Sequence, residues 1–300
     1  MSFFVQTTNL EKFSKNRKFG FFLSLVKPRL VPMVLIATAA GFYLGSPTNI
    51  DLLTLFHVLI GTALSSSGTL ALNQIIETDI DKKMSRTKDR PLPSGHIFKS
   101  EAIIFAILLL ISGLTYLLIL GNFICSFVTL SSAAIYLLVY TPLKTRSQLN
   151  SIVGAIPGAI PPLIGWSAAS GFLSIESFIL FTILFLWQIP HALAIAIIYK
   201  EEFVAAGIKL LPVDDPEGKN TCRHIVIYCL TLIPVGMMPK FIGMAGNIYF
   251  FSSIVLGIIY LSFGVSLFRN YSVAYARKLF YVSLIYLPLL LLTMVLNQVN

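Results

Sequence analysis

Residues 52–95 read LLTLFHVLIGTALSSSGTLALNQIIETDIDKKMSRTKDRPLPSG and contain both features on which the fold depends. Residues 52–76 include no Asp, Glu, Lys or Arg, and this run is long enough to cross a hydrocarbon core of about 30 Å as a helix. Residues 77–95 then bring acidic and basic side chains together directly after the apolar run. The stretch predicts a membrane-spanning helix that ends in a charged loop.

The composition of the whole 300-residue chain has the same character. Hydrophobic residues make up 56% of it and charged residues only 12%, about half the charged share of a soluble protein. A soluble domain needs more charge to cover its surface, and disordered or collagen-like chains are much less apolar. The fold class predicted is therefore an all-α polytopic membrane protein.

Nine segments are apolar enough to be membrane helices, and the first and seventh are short. The segments are residues 28–46, 52–76, 101–120, 123–141, 149–169, 173–198, 224–240, 247–268 and 277–296. This map predicts a cytoplasmic N-terminal tail over residues 1–27 and a single transmembrane domain over residues 28–300.

The distribution of charge gives the map an orientation. All Lys and Arg residues except Lys240 fall in the N-terminal tail or beside the loops that follow the even-numbered helices. The positive-inside rule then places the N-terminus in the cytoplasm and the C-terminus outside. Asp and Glu contribute little to that rule, yet all of them except Asp51 and Glu176 lie on the same side. Their clustering with Lys and Arg in two loops indicates a site on the cytoplasmic face.

The first charged loop carries a row of metal-ligand types. Asn73, Glu77 and Asp81 are spaced i, i+4 and i+8, which places them on one face of a helix. Carboxylate and amide oxygens suit Mg²⁺, which proteins usually hold with one or two carboxylates and the substrate's phosphates. Arg86 and Arg90 follow, and guanidinium groups bind phosphate in a bidentate manner. The pattern favours a diphosphate site over a helix end with solvated salt pairs.

The second charged loop starts at Tyr199, where the sixth apolar segment ends, and continues K-E-E-F. Glu201 and Glu202 have no acidic partner at i+4, so this loop is weaker evidence for a metal site. If the two loops face each other, the second loop would bind a second metal ion or complete the coordination of the first metal ion. A plain solvated loop remains an alternative, and Asp79, Asp214 and Asp215 receive no assigned role.

Six motifs resemble the UbiA superfamily of intramembrane prenyltransferases, and most closely its haem-farnesylating branch. They are Lys27-Pro-Arg29, residues 73–95, Tyr140-Thr-Pro-Leu-Lys144, residues 150–166, Trp187-Gln-Ile-Pro-His191 and residues 199–212. The resemblance implies a nine-helix bundle whose central cavity is capped by the two acidic loops. It also implies Mg²⁺-dependent transfer of a farnesyl group from farnesyl diphosphate to the vinyl group of haem b, with addition of water. Haem is then a substrate and not a cofactor.

The resemblance also assigns roles to residues. The sequence departs from the family pattern at Glu77, where the family has Asp, and at Glu201-Glu202, where Asp is more usual. The catalytic set is Asn73, Glu77, Asp81, Arg86 and Arg90, and the Mg²⁺ ligands are Asn73, Glu77, Asp81, Glu201 and Glu202. Substrate contacts are expected from Lys82, Tyr140, Lys144, Arg146, Trp187, His191, Tyr199 and Lys200. His191 would contact haem or bond a carbonyl that Pro190 frees, and both interpretations stay open.

Several alternatives and partners follow from these expectations. A relative that prenylates an aromatic or quinone precursor is the main alternative, whereas a transporter would carry its charges near the midplane. The bilayer is an expected partner, as is a downstream haem A synthase. Nucleic acid is not an expected partner, because the membrane topology and the binding of diphosphate account for the basic residues. A bacterial plasma membrane is expected over a mitochondrial one, since Glu11 interrupts a presequence pattern.

Overall fold

The structure is a computed structural model that describes residues 18–46 and 49–299. Within these residues the protein is built from helices and contains no β-sheet. We label its nine long helices α1 (Val31–Gly45), α2 (Leu52–Ile76), α3 (Lys99–Leu120), α4 (Phe123–Leu143), α5 (Asn150–Ser170), α6 (Ile175–Ile198), α7 (Lys219–Phe241), α8 (Asn247–Arg269) and α9 (Val273–Leu296). Residues 18–25 are also helical, and short helices cover Thr78–Asp81, Lys200–Ala205 and Leu211–Asp214.

The predicted architecture of nine apolar helices is confirmed over the described residues. Eight of these helices are long and apolar enough to cross a membrane, and α1 is a shorter apolar helix of 15 residues. The seventh segment is longer than predicted, because α7 begins at Lys219 and has 23 residues. Its polar first turn is held by the Asp215 carboxylate, which accepts a hydrogen bond of 2.7 Å from the Thr221 amide. The predicted tail over residues 1–27 lies largely outside the described residues.

The helices pack in a ring. Each helix from α1 to α9 contacts its neighbour in the chain, α5 packs against α1, and α9 returns to contact both α6 and α1. The approach of α1 to α5 depends on Gly41 and Gly165, since a Cβ at either position would overlap the other helix's backbone. Because the ring is closed, one end of each of the helices α2, α4, α5 and α6 borders a shared interior.

Two irregularities in the helices shape that interior. Residues Ile135–Tyr140 of α4 form a π-helical turn, a feature that often occurs at functional sites. Helix α5 is interrupted at Ile160, because Pro161 has no amide hydrogen to continue the ladder.

Two glycines of α5, Gly154 and Gly158, lie against side chains of neighbouring helices. A Cβ on Gly154 would lie 2.5 Å from the Tyr140 ring, and a Cβ on Gly158 would overlap the side-chain amide of Gln188. Both glycines therefore make room for side chains of α4 and α6, and not for the backbone of a neighbouring helix.

Candidate active site

A cavity of about 320 Å³ opens at the ends of α2, α4, α5 and α6 beneath the two charged loops. Its charged end is lined by Lys27, Glu77, Asp81, Arg86, Arg90 and Lys144. Its deeper wall is formed by Tyr140, Gly154, Gln188, Ala192 and Ile195. The volume is at the lower end of the range for small-molecule sites, and the lining divides into a charged part and a largely apolar part.

The row of Asn73, Glu77 and Asp81 is buried, and of the three Glu77 and Asp81 line the charged end of the cavity. Helix α2 ends at Ile76, but the Glu77 amide donates to the Asn73 carbonyl at 2.9 Å and the Asp81 amide donates to the Glu77 carbonyl at 2.8 Å. These bonds keep the i, i+4, i+8 face intact across the helix end. The three residues are 0%, 6% and 1% exposed, so each carboxylate must have a partner of opposite charge.

Each buried carboxylate is paired with a cation. The Lys144 ammonium lies 2.5 Å from the Glu77 carboxylate, and the Arg90 guanidinium lies 2.7 Å from that of Asp81. The four side chains reach the cavity from α4 and from the first loop. They place two anionic and two cationic groups side by side, which is the combination that a metal-bound diphosphate requires.

The oxygen ligands fit Mg²⁺ only if a substrate completes the coordination. The described residues contain no group of three or more His, Cys, Asp or Glu side chains arranged to hold a metal. Two carboxylates and an amide are nevertheless hard oxygen donors, and Mg²⁺ commonly takes its remaining ligands from water and phosphate. The donor set fits a metal that arrives with a diphosphate.

Lys27 is a cavity residue to which sequence reasoning assigned no role. Its ammonium donates to the Asn73 amide oxygen at 3.2 Å, and its backbone has a φ of +50°, which is uncommon for a residue with a side chain. Burial, and next the positive charge of Lys144, lower the pKa of Lys27 to about 8. An anionic ligand would favour its charged form. The Lys27-Pro-Arg29 motif was the available signal.

Lys144 is positioned by the irregular end of α4. Its ammonium lies 4.7 Å from the centre of the Tyr140 ring and bonds to Glu77. Burial disfavours its charge, but Tyr140 and Glu77 outweigh burial and raise the pKa of Lys144 above its ordinary value. Lys144 therefore carries its positive charge into the cavity.

The second loop contacts the first through Glu202. Its carboxylate accepts hydrogen bonds from the Ser85 hydroxyl at 3.0 Å and from the Arg86 amide at 3.4 Å. The Arg86 guanidinium also lies 5.1 Å from the centre of the Tyr199 ring. Glu201 is exposed. Of the two glutamates, Glu202 joins the loops, and neither lines the cavity.

Three basic residues predicted to contact substrate do not line the cavity. Lys82 is 54% exposed and pairs with the exposed Asp79 at 3.2 Å, and Arg146 is exposed. The Lys200 ammonium points to the Asp215 carbonyl, 3.5 Å away. The remaining acid of this region, Asp214, accepts a hydrogen bond from Gln148 on the surface.

Trp187 and His191 also lie outside the cavity, on the face of α6 that packs against α9. The Trp187 ring nitrogen donates to the Ser283 carbonyl at 2.9 Å, and His191 Nδ1 is 2.7 Å from the Ser283 hydroxyl. The face of α6 that lines the cavity instead carries Gln188, Ala192 and Ile195. Gln188 is therefore the residue of the Trp-Gln-Ile-Pro-His motif that reaches the cavity.

Comparison with known proteins identifies sequence relatives over nearly the whole chain. The UbiA prenyltransferase family matches residues 34–288. A protoheme IX farnesyltransferase of Solibacter usitatus is 43% identical over 286 residues, which are 92% of this chain and 98% of the relative. A protoheme IX farnesyltransferase of Koribacter versatilis is 37% identical, with 91% and 92% of the two chains covered.

Solved structures share the fold at lower sequence identity. A digeranylgeranylglyceryl phosphate synthase superposes with a TM-score of 0.80 at 20% identity, covering 94% of this chain and 98% of its own. A UbiA homologue from Archaeoglobus fulgidus, bound to GPP and Mg²⁺, gives a TM-score of 0.69 at 17% identity over 91% and 99% of the chains. The helical ring, the family match and the sequence relatives agree, and this chain is a prenyltransferase that belongs to the UbiA family.

Proposed function

We propose that the protein transfers the farnesyl group of farnesyl diphosphate to the vinyl group of haem b, with addition of water. The product is haem O, and diphosphate is released. Relatives at 43% and 37% identity that carry the name protoheme IX farnesyltransferase support this substrate choice over an aromatic or quinone precursor. The observation that supports the chemistry is the cavity, in which buried Glu77 and Asp81 lie beside Lys144 and Arg90.

The charged end of the cavity is the proposed diphosphate site. Asn73, Glu77 and Asp81 would hold Mg²⁺, which when bound neutralises the diphosphate and eases its departure. Arg90 and Lys144 would exchange part of their contact with the carboxylates for phosphate oxygens, and Lys27 would add a third cation. Cations aimed at the bridging and terminal oxygens stabilise the charge that develops as the carbon–oxygen bond breaks.

The apolar wall is the proposed place for the farnesyl chain. Tyr140 presents its ring there beside the Lys144 ammonium, and Ala192 and Ile195 continue the surface along α6. An aromatic face stabilises the allylic cation that forms when diphosphate departs. A low-dielectric wall also limits access of bulk water, which would otherwise hydrolyse farnesyl diphosphate.

The second loop has a positioning role in this proposal. Through Glu202 it fixes the backbone of Ser85 and Arg86, and through Tyr199 it supports the Arg86 guanidinium. Metal binding by Glu201 and Glu202 stays a prediction, as does a haem contact by His191. The substrate contacts that also stay predictions are those of Lys82, Arg146, Trp187, Tyr199 and Lys200.

The proposal includes the membrane in which the protein lies and its orientation there. We place the protein in a bacterial plasma membrane with its N-terminus in the cytoplasm, as the positive-inside rule predicts. Farnesyl diphosphate would then reach the cavity from the cytoplasmic side, where the charged loops lie. A haem A synthase is the proposed recipient of the product.

The test is the reaction itself. Purified protein in lipid nanodiscs would receive haem b, farnesyl diphosphate and Mg²⁺, and the pigments would be analysed by mass spectrometry. The expected product is haem b plus one farnesyl group and one water. If haem is unchanged while an aromatic acid such as 4-hydroxybenzoate is farnesylated, the alternative acceptor is correct. If neither acceptor reacts, both assignments are wrong.

A further inference from the structure

Gln188 is a polar side chain on the largely apolar wall of the cavity. It lies ten residues before the end of α6 at Ile198, which is about 15 Å along the helix and near the middle of the hydrocarbon core. Its amide offers two donors and an acceptor oxygen. Among the described residues no other side chain or backbone group bonds to it, whereas its neighbours Trp187 and His191 both bond to Ser283.

The position of this amide is set by a glycine on the facing helix. Only Gly158 leaves space for it, because a Cβ at that position would overlap both the oxygen and the nitrogen of the Gln188 side chain. Glycine at position 158 thus lets the amide lie against α5 at the cavity wall. The Gln188 side chain is partly buried and no described protein group bonds to its amide, so the amide offers its donors and its acceptor to a polar group inside the cavity.

The charge distribution narrows the choice of that group. Diphosphate and the carboxylates of haem are anionic, and the cations that suit them are Lys27, Arg86, Arg90 and Lys144 at the other end of the cavity. The farnesyl chain and the vinyl edge of haem have no hydrogen-bonding atoms. The one reactant that is polar, neutral and required beside the new carbon–carbon bond is water.

We propose that Gln188 binds and orients the water molecule that adds to the substrate, an inference that rests on the proposed function. The farnesyl C1–O bond breaks and its electron pair leaves with diphosphate. The vinyl π electrons form the new bond to C1, which leaves a cation on the vinyl carbon attached to the porphyrin. A lone pair of the water oxygen forms a bond to that carbon, and the displaced proton passes to the departed diphosphate.

An amide suits this task better than an ionisable group would. The alternative fate of the cation is loss of a proton from the neighbouring CH₂, which gives a dehydrated alkene. A carboxylate or imidazole at this position would act as a general base and promote that loss. An amide holds water by hydrogen bonds but is too weak a base to remove the proton of the neighbouring CH₂. The cation therefore reacts with the water oxygen.

The test is the ratio of hydrated to dehydrated product, because that ratio is decided after the carbon–carbon bond has formed. Wild-type protein, Gln188→Met and Gln188→Asn would be incubated with haem b, farnesyl diphosphate and Mg²⁺ and analysed by mass spectrometry. The dehydrated product is lighter by one water. Gln148→Met is the matched control, since Gln148 is a surface amide bonded to Asp214.

We expect Gln188→Met to lower the ratio at least about tenfold, which corresponds to a change of about 1.4 kcal/mol between the two fates of the cation. Gln188→Asn should lie between Gln188→Met and wild type, and Gln148→Met should match wild type. Should Gln188→Met fail to fold, Gly158→Ala displaces the amide without removing it and should lower the ratio in the same direction.

Two results would overturn the inference. One is an unchanged product ratio in the folded variant, whatever its total turnover, because the amide then acts in binding or packing. The other is complete loss of both products in the folded variant, which would place Gln188 in a step before the cation forms. Failure of the proposed function looks different, since wild-type protein would then yield no farnesylated haem at all.

Discussion

Replacing Lys144 with methionine removes one cation from the charged end of the cavity while keeping most of the side chain's volume. The side chains of Lys144 and Glu77 are 16% and 8% exposed and form the shortest ion pair at the site. Truncating one partner of a buried pair costs about 3–5 kcal/mol, because the other charge remains buried. Since neither side chain is fully enclosed, we expect a loss of about 3 kcal/mol in the free energy of unfolding.

The loss of activity has a separate cause and a separate magnitude. A hydrogen bond between an ammonium and a charged oxygen is worth about 1.5–3 kcal/mol. If Lys144 contacts the departing diphosphate, Lys144→Met should lower kcat/KM for farnesyl diphosphate about 10- to 150-fold. Initial rates measured by mass spectrometry at several farnesyl diphosphate concentrations give this value, and thermal unfolding in detergent gives the stability.

Two further variants separate the effects. Lys219→Met is the matched control, because the exposed Lys219–Glu217 pair contributes little to stability and neither residue lines the cavity. Combining Lys144→Met with Glu77→Gln removes the stranded carboxylate charge, so stability should recover in part while activity stays low. A kcat/KM of Lys144→Met within threefold of wild type would refute a role of Lys144 at the diphosphate, and so would an equal loss in Lys219→Met.

Three other variants test separate parts of the site. Asp81→Asn keeps the side chain's shape but removes its charge, so the Mg²⁺ concentration for half-maximal rate should rise at least about tenfold in a metal titration. Glu202→Gln removes a charged hydrogen bond, so hydrogen exchange of the backbone amides in the first loop should become about tenfold faster, whereas Glu201→Gln should leave that exchange rate unchanged. Gly154→Ala forces the Tyr140 ring from the cavity wall, an overpacking worth about 1–3 kcal/mol, and should reduce turnover at least about fivefold in the product assay. Wild-type values for any of the three would contradict the corresponding contact.

The parts of the fold that depend on local sequence were predictable. Segment length and hydropathy are sufficient to locate membrane helices, because every backbone group in the hydrocarbon core must be bonded within the chain. The row of Asn73, Glu77 and Asp81 was predictable for a similar reason, since side chains four residues apart share a helix face. The start of α7 at Lys219 was missed, because the contact of Asp215 with Thr221 extends the helix past its apolar residues.

The parts of the site that depend on tertiary packing were not predictable. Lys82 and Lys144 are both basic residues after a helix end, and only the folded chain shows that Lys144 turns inward. In the same way, Gln188 and His191 belong to one motif, but successive helix residues are rotated by about 100°, so hydropathy does not show which faces the cavity. Lys27 reaches Asn73 from a segment 46 residues away in the chain, a contact that no local pattern contains.

The most direct test of the diphosphate site is an experimental structure with Mg²⁺ and the unreactive analogue farnesyl thiodiphosphate. We expect Mg²⁺ against the oxygens of Glu77 and Asp81, and the diphosphate against Arg90 and Lys144. The farnesyl chain should lie along the wall that carries Tyr140. A diphosphate bound elsewhere, or a metal held without Glu77 and Asp81, would contradict these expectations.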